Sequence, residues 1–173
     1  MVSWDVAVMA MIASSAIGFL LSDGEKRRLG WIRAMRRCLI RISAVIRYEQ
    51  PALADLLVRV DLNTTQQERE LTLLMHRCAQ RLSSGIKLHM LFAEETARLR
   101  AYGVLSEEDR APFEGVIAQL GTARLPEQLR QIDQADERLR AREQVLEREG
   151  AKRVRLIRTL GVSLGAAIFL ILI

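Results

Sequence analysis

Four side chains in this 173-residue chain have the chemistry of metal ligands or strong nucleophiles: His76, His89, Cys38 and Cys78. Metal binding needs such groups to converge, and short spacings such as Cys-x-x-Cys are its usual sequence signature. No two of the four stand at a metal-ligand spacing, and neither a His-Glu-x-x-His run nor a Gly-rich phosphate loop occurs. Each cysteine therefore reads as a reduced core thiol and each histidine as a surface or interface residue. The carboxylate pairs Glu94/Glu95 and Glu107/Glu108 are the remaining candidates, for acid–base work. They read instead as solvated faces or as partners of helix N-terminal dipoles. The residues thus predict no catalytic, cofactor-binding or metal site, no small-molecule substrate and no enzyme.

The elements that carry these residues follow from composition. Half of the chain is apolar, enough for a core in about one domain's length. A mean hydropathy of only +0.07 alongside 27% charged residues means that the apolar residues are clustered. Counting finds them at the two ends: 16 of the first 21 residues and 11 of the last 14 are apolar, leaving a middle of ordinary soluble composition. With three Pro and 10 Gly the chain is not a many-turned all-β sequence, so a helical middle is expected.

From Val6 to Leu21 there is no charge, and with Asp5 tolerated near the outer interface the addition of Val2 to Trp4 brings the run to the length of a membrane-spanning helix. A signal peptide competes, with Ala13–Ala16 as a possible cleavage region. Against it, no Lys or Arg precedes the run, while Lys26, Arg27, Arg28, Arg33, Arg36 and Arg37 follow it. The C-terminal run from Leu160 to Ile173 is shorter, and extending it back to Leu156 sets Arg155 and Arg158 at headgroup level. Lys152, Arg153, Arg155 and Arg158 precede it, so both ends independently put the middle of the chain on the cytoplasmic side. Gly161 and Gly165 form a weak GxxxG pattern within it. The expected organisation is an N-terminal anchor over 1–22, a cytoplasmic helical bundle over 23–155 and a C-terminal anchor over 156–173.

Within the middle, Leu29, Ile32, Met35, Leu39, Ile42 and Ile46 recur every three or four residues, as one face of a helix ending before Pro51. Pro51 suits the first position of a second helix with Leu53, Leu56, Leu57 and Val60. Thr65 and Glu68 predict a capping box opening a third, with Leu71, Leu74, Met75, Cys78 and Leu82 inward and an end near Ser83–Gly85. A fourth carries Leu88, Leu91, Phe92, Glu95 and Leu99 and stops at Gly103. Ser106 to Asp109 cap a fifth, with Phe113, Val116, Ile117 and Leu120 inward. Pro112 either kinks that helix or marks where its regular part begins. Gly121 ends it, and from Pro126 a long charged helix follows, with Leu129, Ile132, Leu139, Val145 and Leu146 as a narrow apolar stripe. Asp136 and Glu143 occupy would-be seam positions, which argues against a coiled coil and for a helix covering one side of a bundle.

The basic balance of +5 also fits nucleic-acid binding. Its densest clusters adjoin the two apolar ends, where they set topology and attract headgroups, so nucleic acid is not expected as a partner.

The order of these features resembles the stage III sporulation protein AB family. The resemblance rests on Tyr48-Glu49-Gln50-Pro51-Ala52-Leu53, Ser84-Gly85, Ser106 to Arg110, Leu120-Gly121, and Thr159 to Gly165 followed by the aliphatic Ile168–Ile173 tail. The chain departs from the pattern at Pro112 and over Thr122–Pro126. The resemblance implies an all-α bundle of about six helices flanked by two transmembrane helices, similar to the cytoplasmic domain of the type II secretion platform protein F. It also implies membership in the channel complex between mother cell and forespore, in the mother-cell membrane around the forespore. There the bundle would dock a secretion-type ATPase similar to stage III sporulation protein AA, among other channel-complex membrane proteins. Rivals remain: a helical component of a secretion or pilus-like system outside sporulation, a membrane-dependent enzyme or transport component, and a soluble protein burying both apolar ends against each other.

Overall fold

The computed structural model describes the backbone of residues 4–82 and 85–172, and the side chains of residues 24–82, 85–99 and 102–150. Among these the chain is all-α, with no strand. The helices are α1 (Trp4–Tyr48), α2 (Leu53–Arg59), α3 (Gln66–Leu82), α4 (Leu88–Arg98), α5 (Glu107–Gln119) and α6 (Leu125–Leu172), with a 3-10 turn, Arg100–Val104, between α4 and α5. In α1 and α6 the composition changes along a continuous helix, not between elements. The expected anchors over 1–22 and 156–173 lie outside the residues whose side chains are described. Among the described residues no helix is long and apolar enough to cross a membrane.

The stretch of α1 from residue 24 onward is the spine: α2, α3, α5, α6 and the 3-10 turn all pack on α1. A helix packed on several sides must bury more than one stripe. Trp31, Ala34, Cys38 and Val45 are accordingly buried beside the expected Ile32, Met35, Leu39, Ile42 and Ile46. The aromatic centre forms where Trp31 meets Tyr102 edge-on at 5.4 Å and Phe92 packs against Phe113 at 5.8 Å. Such pairs contribute about 0.5–1.5 kcal/mol beyond their buried area. The inward faces read from α2, α3, α4 and α5 are the buried ones: Leu56, Leu57, Leu71, Leu74, Met75, Leu88, Leu91, Val116 and Ile117 among them.

The starts of two helices follow their sequence signals. Glu68 accepts the N–H groups of Thr64 at 2.9 Å and Thr65 at 3.0 Å, while its own N–H donates to Thr65 Oγ1 at 3.3 Å, completing the box at α3. Ser106 caps α5, and Asp109 accepts the Ser106 N–H at 3.1 Å. Two details differ from expectation. The helix α2 begins at Leu53, because Gln50 has a positive φ of 41° and Ala52 is extended, so Pro51 belongs to the link. The helix α4 ends at Arg98, and Gly103 lies inside the 3-10 turn that follows instead of stopping α4. Of the two alternatives at Pro112, the helix that begins ahead of the proline holds: α5 starts at Glu107 and contains Pro112. Pro112 has no N–H for the carbonyl one turn back, so α5 lacks one intrahelical hydrogen bond there, and its start is set by the Ser106–Asp109 box instead.

Gly121 ends α5 with φ +80°, a conformation that other L residues adopt only at a cost, and a Cβ there would stand 3.2 Å from Leu53 Cδ2. Both effects oppose a side chain. Gly121→Ala is expected to lower stability by about 1–2 kcal/mol in chemical denaturation followed by circular dichroism. By contrast Pro112→Ala, which restores one helical hydrogen bond, is expected to raise it by up to about 3 kcal/mol, and an unchanged or lowered midpoint would contradict this account of α5.

Candidate functional site

Residues that sequence reading treats as solvated or membrane-facing turn out to join α1 to its neighbours. Arg36 Nε donates to Asp136 at 2.8 Å and its Nη1 to Glu143 at 2.6 Å. Arg33 Nε donates to the other oxygen of Glu143 at 2.7 Å, and its Nη2 to Glu147 at 2.5 Å. Since the arginine numbers rise as the carboxylate numbers fall, α1 and α6 are antiparallel. Both apolar ends therefore leave the bundle on the same side. Arg37 adds an ion pair to the buried Glu68 of α3. Arg28, Arg33, Arg36 and Arg37 are thus not a free membrane collar: carboxylates of α3, α5 and α6 neutralise them. Asp136 and Glu143 break the apolar seam of α6 because the facing surface of α1 carries guanidinium groups.

The tightest point of this network is Asp109 at the start of α5, whose residue is fully buried. It accepts from Arg28 Nε of α1 at 2.5 Å and from Arg142 Nε of α6 at 3.1 Å, while Arg28 Nη2 donates to Ser106 Oγ at 3.1 Å. Three helices meet on one carboxylate. Burial pushes its acid–base equilibrium upward, but the Arg28 and Ser106 hydrogen bonds and the Arg28 charge outweigh that and hold it below the ordinary value. Glu143 behaves alike: burial raises it, and the bonds from Arg33 and Arg36 more than reverse the shift.

The residues singled out for chemistry are scattered. Cys38 is wholly buried on α1 and Cys78 is buried on α3, with burial pushing the Cys78 thiol up to about 11 and Cys38 upward as well. Neither is poised as a thiolate near neutral pH. His76 Nε2 lies 3.1 Å from the Val58 carbonyl oxygen. Among the described residues no three His, Cys, Asp or Glu side chains gather as a metal site. Of the carboxylate pairs, Glu95 corrects its solvated reading: it is buried and paired with Arg77 at 3.4 Å and Arg81 at 3.1 Å, while Glu94 takes Arg81 at 2.8 Å. Glu108 reaches Arg142 at 3.1 Å.

Two concavities stand out among the described residues. The larger, about 550 Å³, is a groove between α4, the 3-10 turn and α5, floored by Phe92, Leu99 and Ile117 and bordered by His89, Arg110 and Glu114. The smaller, about 190 Å³, lies at the far end of α1 under Gln50, Pro51 and Gly121. No sequence motif announces the groove. Its one legible sign is Ala93 and Ala97, four residues apart on one face of α4.

Because Asp109 and Glu143 bind protons less readily in the folded protein, their contribution is present above the ordinary carboxylate range and is lost as pH falls through it. Acid unfolding below about pH 4 is therefore expected to begin at the α1–α5–α6 junction. Asp109→Asn, which leaves Arg28 and Arg142 without their shared acceptor, is expected to cost about 3 kcal/mol near neutral pH and to flatten the acid limb of the stability profile. An acid limb as steep as the wild type's would contradict this assignment.

Comparison with curated proteins and with solved structures returns no match. The model of one family, Stage III sporulation protein AB, matches residues 3–173, nearly the whole chain. That agrees with the resemblance carried by the Tyr48–Leu53, Ser106–Arg110 and Leu120-Gly121 motifs, which here form the end of α1 with its link to α2, the capped start of α5 and the glycine-terminated end of α5. It ties the all-α bundle to sporulation, and the protein belongs to the stage III sporulation protein AB family.

Proposed function

We propose that this protein is a non-catalytic, membrane-anchored platform of the channel complex between mother cell and forespore. Residues 1–22 and 156–173 are its anchors, and the bundle between them is cytoplasmic, facing the mother cell. The observation that carries the reading is the antiparallel α1–α6 pairing, held by Arg33 and Arg36 against Asp136, Glu143 and Glu147. It sends two uncharged runs, each adjoined by basic residues, out of one side of a bundle, as a domain held on a membrane by two stems requires. A soluble partner would dock on the side and flanks of the bundle away from those runs. In a sporulation family whose resemblance points to a secretion-type ATPase, that enzyme, similar to stage III sporulation protein AA, is the partner we assign. The buried thiols and dispersed histidines support a binding role over catalysis.

Full-length protein in detergent is expected to retain the purified ATPase at low salt and to release it as ionic strength rises. Failure to associate at low salt would sink the ATPase assignment. Carbonate washing of membranes tests the anchors separately: the protein should stay in the pellet, and release into the supernatant would overturn the two-anchor reading.

A further inference from the structure

Because α1 and α6 are antiparallel, the last turn of α1 and the first turn of α6 meet at the end of the bundle remote from the two uncharged runs. Between them lies the smaller concavity, about 190 Å³, walled by Ile46, Pro51, Leu53, Leu56 and Leu125. Gln50 and Gln128 bring its polar side chains, and no charged residue lines it. Gln128 is committed, donating to the Ala123 carbonyl oxygen at 2.8 Å. Small-molecule pockets run to about 300–1,000 Å³, so this one is undersized for a cofactor and suits a single large apolar side chain. Just ahead of the link to α2, Tyr48 is 84% exposed, the most exposed large apolar side chain among the described residues. Tyrosine and arginine are over-represented among the residues that carry the energy of protein interfaces.

Charge narrows the occupant. Residues 46–56 and 119–130, which build this end, hold six charged side chains: Arg47, Glu49, Asp55, Arg124, Glu127 and Arg130. Glu49 is paired with Arg59, and Glu127 with Arg130 at 2.8 Å. Asp55 lies in the first turn of α2, where the unpaired N–H groups of the helix start offset its charge. Arg47, next to Ile46, and Arg124, between Ala123 and Leu125, are both exposed and have no ion pair among the described residues. The uncommitted charge around an uncharged apolar concavity is therefore positive, and a carboxylate-bearing surface complements it. With the N-terminal run in the membrane, lipid headgroups do not reach this end: Tyr48 stands 27 residues beyond Leu21, about 40 Å along α1, against a screening length of about 8 Å. A nucleic-acid backbone would satisfy the arginines and leave the concavity unfilled.

We infer that the end of the bundle remote from the uncharged runs docks an acidic protein partner, which sets one large apolar side chain into the concavity between Pro51 and Leu125, covers the Tyr48 ring and places carboxylates against Arg47 and Arg124. This rests on the reading of the bundle as a platform and names the face on which the partner sits. The apolar side chain gives position, because it fits one place, and the carboxylates give selectivity, because a basic surface brought to the same place would meet two guanidinium groups.

A photo-crosslinking phenylalanine analogue in place of Tyr48 in the full-length protein, in cells entering sporulation, tests the inference when the crosslinked peptide is mapped. The expected adduct lies in a protein segment with a large apolar residue flanked by Asp or Glu. Adding Arg47→Glu with Arg124→Glu is expected to cut the yield at least about tenfold, and so is Ala123→Leu alone, which fills the concavity and leaves the charges in place; circular dichroism of both purified variants should be unchanged. A yield no higher than from the same analogue at Leu73, 59% exposed on α3, would overturn the inference. So would insensitivity to either change, or adducts only with lipid, nucleic acid or a second copy of this chain. If the full-length protein retains the ATPase in detergent and position 48 gives no acidic protein adduct, this docking assignment fails and the platform reading stands. An acidic adduct from a protein other than the ATPase would keep the docking face and remove the ATPase.

Discussion

A carboxylate withdrawn from water is tolerated only when cations and hydrogen-bond donors replace the lost hydration, and Asp109 is the point where this bundle meets that condition. Its two oxygens are shared among Arg28 of α1, Arg142 of α6 and the backbone of its own cap. The three groups come from positions 28, 106 and 142, so the pairing is satisfied only when α1, α5 and α6 have reached their final mutual positions. A misplaced α6 would leave the acid both buried and short of a partner. The knot therefore specifies the arrangement more than it adds net stability, as buried ion pairs can.

The need for such specification comes from the apolar side of α6. Among the described residues of that helix, the buried apolar side chains are Ile132, Ala135 and Leu139. Apolar contact is non-directional, and so narrow a stripe, with Leu125 and Leu146 at its edges, would alone allow α6 to slide or rotate on α1. Arg33 and Arg36, bonding to carboxylates at 136, 143 and 147, select one register. These pairs are half exposed, so each contributes little by itself, and their value lies in acting together on one alignment.

Much of the fold was legible because helical periodicity and capping chemistry are local. The inward faces of α2 to α5, the Thr65–Glu68 box and the Ser106 cap could be read from neighbouring residues. What escaped depends on pairing across distance. Arginines 28, 33, 36 and 37 look like a membrane collar when only the preceding apolar run is considered. The spacing of seven and then four among Asp136, Glu143 and Glu147, which sets them on one helical face, is the signal that answers them. Trp31 and Cys38 fall off the simplest stripe of α1, and their burial becomes intelligible once α1 is known to be surrounded. The groove escaped for a related reason: Ala93 and Ala97 are ordinary helix residues until Phe92 and Ile117 are seen to floor the space beside them.

The two longest helices share their ion-paired stretch and continue, without interruption, out of the same side of the bundle. A helix is stiff along its axis, and 45 and 48 residues at about 1.5 Å each make rods of roughly 70 Å. Two such rods cross-linked by arginine–carboxylate pairs behave as a single lever. A tilt or twist applied to the bundle by a partner would be carried outward with little loss, and a change in the spacing of the two ends would be carried inward to the Asp109 junction.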